Sequence, residues 1–305
     1  MPIIHVDREL HAADIEYVSG RAVLVGPSDD TLVGVAATVI GIGHEWDAAR
    51  FARFPDLRVV SRMGIGYDNV DVPAASAAGV VVCNAPDAPT VSTAEHTMAL
   101  LLALTKEFPT QQARATEGMG GPAVATALEL DGATLGLVGF GRIARRVAVA
   151  ARAFGMHVIA VDPAIDSAEV DGVRMVSLDV LLTSSDAVSL HAPAIEATRH
   201  MINDETLATM RPGAYLINCA RGALVDHDAL QRALESGRLA GAGLDVTEPE
   251  PLPAGHPLLG RSNVIVTPHI ASSTAAGRRR LFEHAFENAL AVIEGRPASI
   301  VAPPA

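Results

Sequence analysis

Cysteine and aromatic residues are scarce in this chain of 305 residues. Two cysteines, Cys83 and Cys219, cannot build a disulfide framework, and each lies in an apolar run typical of a buried strand. We therefore expect reduced thiols and a cytoplasmic protein. Aromatic residues make up 4% of the chain, with Trp46 as the single tryptophan. The N-terminus also lacks the basic and long apolar segments of a secretion signal.

Positive charge and long apolar runs are lacking as well. The formal net charge is −12, and an acidic chain repels the phosphate backbone of nucleic acids. The RRR run at 278–280 therefore indicates a solvated helix face, and we expect no nucleic-acid partner. The longest apolar run, MALLLAL at 98–104, is too short to cross a bilayer, so we expect no membrane association. We also expect no metal site.

Apolar residues make up 49% of the chain and occur in runs that alternate with helical segments. This alternation is typical of parallel α/β architecture. It restarts after a break at EGMGGP (117–122), and the last helix has no strand left to pair with. The sequence therefore predicts two Rossmann-like, doubly wound parallel-sheet domains. The first is discontinuous, 1–102 and 271–305, and the second covers 103–270.

The sequence also predicts where helices occur in the first part of the chain. A long helix is predicted from Thr90 to about Arg114, where capping residues precede an apolar centre. Between the strands in PIIHV and AVLVG, by contrast, there is little room for a helix.

A glycine-rich turn follows the apolar strand TLGLVG. The segment matches G-x-G-x-x-A with Gly139, Gly141 and Ala144, and it leads into a helix that starts at Arg142 and Ile143. Such a turn lets a pyrophosphate approach the backbone, and the helix N-terminus offers N–H groups to the anion. Asp162 ends the next strand, 21 positions after Gly141. A carboxylate there accepts from ribose hydroxyls and repels a 2′-phosphate, so the predicted cofactor is NAD.

Three charged residues near the end of the chain also follow apolar strands or turns. They are Arg221 in INCARGALVD, Glu250 in LDVTEPEP and His269 in VTPHIAS. Parallel sheets bind ligands at the carboxyl ends of their strands. A guanidinium, a carboxylate and an imidazole that meet there could hold a 2-oxo acid and move its proton.

At this point the chain resembles the D-isomer-specific 2-hydroxyacid dehydrogenases over essentially its full length, and in particular phosphoglycerate dehydrogenases and glyoxylate/hydroxypyruvate reductases. Seven motifs carry the resemblance in the order of that family: RMGIGYDNVD (62–71), STAEHTMALLLAL (92–104), LVGFGRIA (137–144), LHAP (190–193), INCARGALVD (217–226), GAGLDVTEPEPL (241–252) and VTPHIAS (266–272). The resemblance makes 1–102 with 271–305 the substrate domain and 103–270 the NAD-binding Rossmann domain.

The resemblance also implies a role for each candidate residue. Arg221 would grip the substrate carboxylate and keto oxygen, His269 would protonate the carbonyl, and Glu250 would orient and charge His269. The backbone N–H groups of Ile65 and Gly66 would hold the substrate carboxylate, with Arg62 beside them able to meet a phosphate or to pair with a carboxylate such as Asp68. Contacts to the cofactor would come from Asp245, at the nicotinamide carboxamide, and from Pro193, Cys219, Ala220 and Ala271.

Two alternatives and several details stay open at this point. The same fold serves NAD(H)-sensing, corepressor-like binding proteins, which retain the Arg–Glu–His set; a formate dehydrogenase would instead carry glutamine where Glu250 stands. The small 2-oxo or 2-hydroxy acid is not identified by the sequence. The loop at 117–132 lacks the tryptophan usual in relatives and bears on substrate shape. Apolar surface on the long helix predicts a homodimer.

Overall fold

The computed structural model describes residues 1–27, 32–120, 127–296 and 298–302. The strands are β1 (Ile3–Val6), β2 (Val23–Val25), β3 (Val35–Ile40), β4 (Val59–Arg62), β5 (Val81–Cys83), β6 (Thr134–Val138), β7 (His157–Val161), β8 (Glu169–Val170), β9 (Val173–Met175), β10 (Ala187–Leu190), β11 (Ala214–Asn218), β12 (Leu239–Leu244), β13 (Val264–Val266) and β14 (Ile300–Ala302). The α-helices are α1 (Ala12–Val18), α2 (Ala48–Phe51), α3 (Val72–Ala77), α4 (Thr90–Thr105), α5 (Phe108–Thr116), α6 (Arg142–Ala153), α7 (Leu178–Ser184), α8 (Asp204–Thr209), α9 (His227–Glu235) and α10 (Ala275–Ile293). Short 3-10 turns cover Glu196–Thr198 and Gly222–Leu224.

The strands form two separate sheets, each almost entirely parallel. The six-stranded sheet has the order β14-β5-β4-β3-β1-β2, and the eight-stranded sheet has the order β13-β12-β11-β10-β6-β7-β9-β8. The antiparallel pairs are at the sheet edges, β14 with β5 and β8 with β9. Within the larger sheet, the chain order reverses direction between β6 and β10. The predicted fold class, two doubly wound parallel-sheet units, is confirmed.

The chain divides into two compact units, Met1–Thr90 with Ser273–Ala305 and Val91–Ser272. The division falls 12 residues before the predicted end of the first segment at 102, so that all but the first residue of α4 lies in the second unit. Gly241 and Gly243 on β12 explain why α4 belongs to the second unit. A Cβ on Gly243 would lie 3.0 Å from Leu100 and 3.1 Å from Leu104, so the bare strand lets α4 pack directly against it.

The predicted long helix is two helices in the structure. The helix α4 ends at Thr105 and α5 begins at Phe108, with Glu107 in the left-handed region (φ 55°) between them. Pro109 explains the break, because a proline ring clashes with the carbonyl group four residues earlier and therefore sits in the first turn of a new helix. The prediction of one continuous helix to Arg114 was wrong.

The first unit is built around its six-stranded sheet, with apolar clusters on both faces. On one face the aromatic side chains Phe282 and Phe286 of α10 are buried against the sheet, and on the other Trp46, Phe51 and Phe54 form a second cluster. The helix α1 lies between β1 and β2, where the sequence had left little room for one; seven residues suffice for two turns. Among the described residues, no helix is long and apolar enough to span a bilayer.

Candidate active site

The candidate cofactor and catalytic residues of the second unit lie along one edge of the eight-stranded sheet. Six neighbouring parallel strands end there, and each is followed directly by candidate residues or by their neighbours. The segments are Gly139–Gly141 after β6, Asp162 after β7, His191–Pro193 after β10, Cys219–Arg221 after β11, Asp245 after β12 and Thr267–His269 after β13. The edge includes the reversal point between β6 and β10, where open α/β sheets bind their ligands.

The glycine turn after β6 passes very close to the segment after β10. Gly139 has φ 89°, and a Cβ on it would lie 2.7 Å from the carbonyl oxygen of His191, so the position requires glycine. A Cβ on Gly141, by contrast, would meet no atom within 4 Å. Gly141 caps α6 without a side-chain hydrogen bond, so the first N–H groups of a 12-residue helix face this open space. This arrangement fits a diphosphate group.

Asp162 lies beside the glycine turn. One carboxylate oxygen accepts from Phe140 N (2.8 Å) and the other from Ala164 N (2.9 Å). A carboxylate can accept about four hydrogen bonds, so both oxygens retain capacity for ribose hydroxyls. Asp162 therefore ties the turn to the end of β7 as well as offering acceptors to a nucleotide.

The imidazole of His269 pairs with the carboxylate of Glu250. Nδ1 of His269 lies 2.6 Å from Oε1 of Glu250. The pKa of Glu250 lies below its ordinary value although burial raises it, because the hydrogen bond and charge of His269 outweigh that effect. The charge of Arg221 lowers it in addition. Glu250 is therefore ionised at neutral pH.

Arg221 belongs to the same group of residues. Its guanidinium Nη1 donates to the carbonyl oxygen of Ala220 (2.6 Å), and its charge is felt by Glu250. Arg221 is partly buried at the start of the 3-10 turn that follows β11. The structure thus brings together all three residues that the sequence singled out, within one compact unit.

Comparisons with known proteins agree with this geometry. Residues 98–271 match the model of the NAD-binding domain of the D-isomer specific 2-hydroxyacid dehydrogenases. The chain belongs to this family. It is 42% identical over 271 residues to the (S)-sulfolactate dehydrogenase of Chromohalobacter salexigens, covering 88% of this chain and 86% of that protein. It is 41% identical over 256 residues to the D-3-phosphoglycerate dehydrogenase of Mycobacterium bovis, covering 83% of this chain and 47% of that protein.

The fold comparison gives the same family. The glyoxylate reductase of Paecilomyes thermophila superposes with a TM-score of 0.87 at 31% identity, over 99% of both chains. The chain spans about half the length of the phosphoglycerate dehydrogenases it matches. The predicted family is confirmed, and the second unit is its NAD-binding domain.

Other predicted cofactor residues of this family member line the same sheet edge. Cys219 and Ala220 are partly buried and Pro193 is exposed. Burial raises the pKa of the Cys219 thiol to about 12, so it stays protonated and offers an apolar contact. Arg142 is exposed at the start of α6, with Ile143 partly buried behind it.

Asp245 and Ala271 are joined by a hydrogen bond. Asp245 is 1% exposed, and its carboxylate accepts from the backbone N–H groups of Ile270 and Ala271 and from the hydroxyl of Thr267. The sequence predicted a contact between Asp245 and the nicotinamide carboxamide but not these bonds. Nor did it predict a role for Thr267 or for His96, whose side chain reaches the same group.

In the first unit, Ile65 and Gly66 lie in the loop after β4. Ile65 is 37% exposed, and its carbonyl oxygen accepts from Asn84 Nδ2 (2.8 Å). Arg62, predicted beside them as a phosphate contact, is 6% exposed and donates to Met63 O (2.7 Å) and Asn69 Oδ1 (3.3 Å). In this position the guanidinium supports the loop from inside; a contact with a phosphate would need it exposed. Part of the loop predicted to affect substrate shape, 121–126, lies outside the described residues.

Proposed function

We propose that this protein catalyses the NAD-dependent interconversion of a small 2-oxo acid and its D-2-hydroxy acid. The observation that carries the proposal is the pairing of His269 with an ionised Glu250, at 2.6 Å, on the sheet edge that also bears the glycine turn. Acid–base groups and a dinucleotide cradle on one edge are what a hydroxy acid dehydrogenase needs. A NAD(H)-sensing corepressor-like protein on the same fold is not favoured.

His269 would serve as the proton donor in reduction and the acceptor in oxidation. Its Nδ1 is held by Glu250, so Nε2 is the atom that exchanges a proton with the substrate oxygen. Reduction of a ketone places negative charge on that oxygen, and a proton donor near neutral pH stabilises it. The negative charge of Glu250 would stabilise the positive charge of the imidazolium that donates in this step.

Arg221 would hold the 2-oxo acid. Its planar guanidinium can donate two parallel hydrogen bonds to a carboxylate, which fixes orientation as well as position. The backbone N–H groups of Ile65 and Gly66 would also bind the substrate carboxylate. That role remains a prediction from the sequence.

The residues of the second unit would hold NAD through its diphosphate and adenosine ribose. The N–H groups at the start of α6 would bind the diphosphate, and Asp162 would accept from the ribose hydroxyls. The bound nicotinamide supplies or accepts the hydride. The contacts of Pro193, Cys219, Ala220, Asp245 and Ala271 with the cofactor are part of this proposal.

A substrate panel tests the proposed function. Glyoxylate, hydroxypyruvate, 3-phosphohydroxypyruvate and 3-sulfopyruvate would each be mixed with NADH and the purified protein, and NADH absorbance followed. At least one should be reduced, and Arg221→Gln should raise its KM or abolish turnover while the Kd for NADH, measured by fluorescence, is retained. Tight NADH binding without turnover of any 2-oxo acid would favour a binding protein.

We also propose that the protein is a cytoplasmic homodimer. The helix α5 has no buried residue among those described, and Phe108 at its start is 60% exposed. A second copy of the chain packed on this helix would cover the Phe108 ring. Light scattering at micromolar concentration should give about twice the chain mass of 31.6 kDa; a mass equal to one chain would exclude the dimer. Two unpaired cysteines, Cys83 and Cys219, support the cytoplasmic location.

A further inference from the structure

The segment that carries His269 is fastened by a single buried carboxylate. Asp245 is 1% exposed and accepts three hydrogen bonds from this segment: Thr267 Oγ1 (2.6 Å), Ile270 N (2.8 Å) and Ala271 N (2.8 Å). These donors flank His269 on both sides. A buried carboxylate is stable when hydrogen bonds surround it, so the segment and Asp245 hold each other in place.

His269 needs such support because its backbone is strained. Its φ is 54°, in the left-handed region that residues other than glycine rarely adopt. Its N–H donates to Asp245 O (2.8 Å) and Thr267 O (3.0 Å). Left-handed backbone costs on the order of 1–3 kcal/mol and persists where the surroundings enforce it. Here the enforcing residues are Asp245 and Thr267.

A third side chain reaches this group from the helix α4. His96 Nε2 lies 3.0 Å from Thr267 Oγ1 and 3.5 Å from Asp245 Oδ1. The hydroxyl of Thr267 donates its only proton to Oδ1 of Asp245. The hydroxyl oxygen must then accept from His96, so Nε2 of His96 carries the proton.

We propose that His96 and Thr267 are positioning residues that lock the Asp245 carboxylate and so hold the His269 imidazole against Glu250. The inference rests on the proposed function for its effect on turnover. Neither side chain is among the residues proposed to bind the substrate or the cofactor. They act through Asp245, which without them would lose its hydroxyl donor and a neighbouring imidazole N–H.

Two substitutions at each position separate the hydrogen bond from the size of the side chain. Thr267→Val and His96→Leu remove the bonds at similar volume, whereas Thr267→Ser keeps the hydroxyl and His96→Gln keeps an N–H donor at a similar reach. Because a displacement of about 1 Å at a reacting group can cost on the order of 100-fold in rate, we expect Thr267→Val and His96→Leu to lower kcat about 10- to 100-fold. Thr267→Ser and His96→Gln should restore most of it.

Thr105→Val is the matched control. Thr105 lies in the same helix as His96, is fully buried, and donates its hydroxyl to Leu101 O (2.8 Å). Loss of this hydroxyl should lower the stability about as much as Thr267→Val does, but kcat should stay near the wild-type value. Circular dichroism melting curves of all variants give the comparison of stability.

Proton NMR gives a readout that does not depend on turnover. The Nδ1–H proton shared by His269 and Glu250 should give a downfield resonance, identified by its absence in His269→Ala. We expect this resonance to be lost or shifted in His96→Leu and Thr267→Val and retained in His96→Gln, Thr267→Ser and Thr105→Val. If no 2-oxo acid is turned over but the resonance follows this pattern, the proposed function fails and the positioning role stands. An unchanged resonance in folded His96→Leu and Thr267→Val, or equal losses in Thr105→Val, would overturn the inference.

Discussion

The carboxylate of Glu250 lies 2.6 Å from Nδ1 of His269, although the two residues are 19 positions apart in the chain. The distance is typical of a strong, charge-assisted hydrogen bond. It fixes which nitrogen of the imidazole faces Glu250 and which is left to exchange a proton. In the proposed reaction His269 transfers the proton, and Glu250 orients and stabilises the imidazole that carries it.

The two glycines of the turn after β6 should respond in opposite ways to alanine. At Gly139 a Cβ would lie 2.7 Å from the His191 carbonyl oxygen at φ 89°, so Gly139→Ala should lower the melting temperature markedly. At Gly141 a Cβ meets no protein atom within 4 Å, so Gly141→Ala should change stability little. The same Cβ would enter the space proposed for the diphosphate, and the Kd for NADH should rise about tenfold or more. Melting curves and NADH fluorescence titrations measure both effects; unchanged NADH affinity in Gly141→Ala would place the diphosphate elsewhere.

Asp162 should set a preference for NAD over NADP. Its negative charge repels a 2′-phosphate, and its oxygens accept from ribose hydroxyls. Asp162→Ala should shrink the discrimination about tenfold or more. Because Asp162 also accepts from Phe140 N, Asp162→Asn is the better probe: it keeps an acceptor for the glycine turn and removes the charge. The ratio of kcat/KM for NADH and NADPH gives the answer, and equal use of both by the unaltered protein would contradict this role.

His191 should make the protein less stable in mild acid. Burial lowers its pKa to about 4, below the value of about 6.5 expected in the unfolded chain. Between these two values the unfolded chain binds a proton that the folded protein does not, so stability falls as the pH drops from 6.5 towards 4. The loss at pH 5 would be at most roughly 2 kcal/mol. Urea unfolding at pH 7 and pH 5 should show a smaller pH effect in His191→Gln than in wild type, and equal effects would exclude this contribution.

The features predicted well from the sequence are those encoded by short, continuous segments. The glycine turn follows its strand directly, and Asp162 ends the next one, so local pattern was enough to place both. Arg221, Glu250 and His269 could be grouped because parallel strands end at the same sheet edge. Each of these inferences needs strand direction and no detail of side-chain packing.

The features missed depend on packing between distant segments. The bond between His96 and Thr267 joins α4 to the end of β13, and no periodicity in either segment signals it. Arg62 is adjacent to its loop in the sequence, but its burial depends on contacts with Asn69 and the Met63 carbonyl oxygen that the sequence does not signal. The break at Glu107 did have a signal in the sequence, because Pro109 follows it and a proline interrupts a helix even where the apolar pattern continues.

The pH dependence of 2-oxo acid reduction, measured in wild type, Glu250→Gln and His269→Ala, tests the central claim most directly. Reduction needs the protonated imidazole, so kcat falls as pH rises. Beside a neutral glutamine the imidazole of His269 would hold its proton less tightly. The pH at which kcat falls should therefore be lower in Glu250→Gln by about one pH unit or more. His269→Ala should lose about 10²- to 10⁴-fold in kcat with the Kd for NADH nearly unchanged. A folded Glu250→Gln with an undisplaced pH profile, or a folded His269→Ala with near wild-type turnover, would contradict the assignment of His269 as the acid.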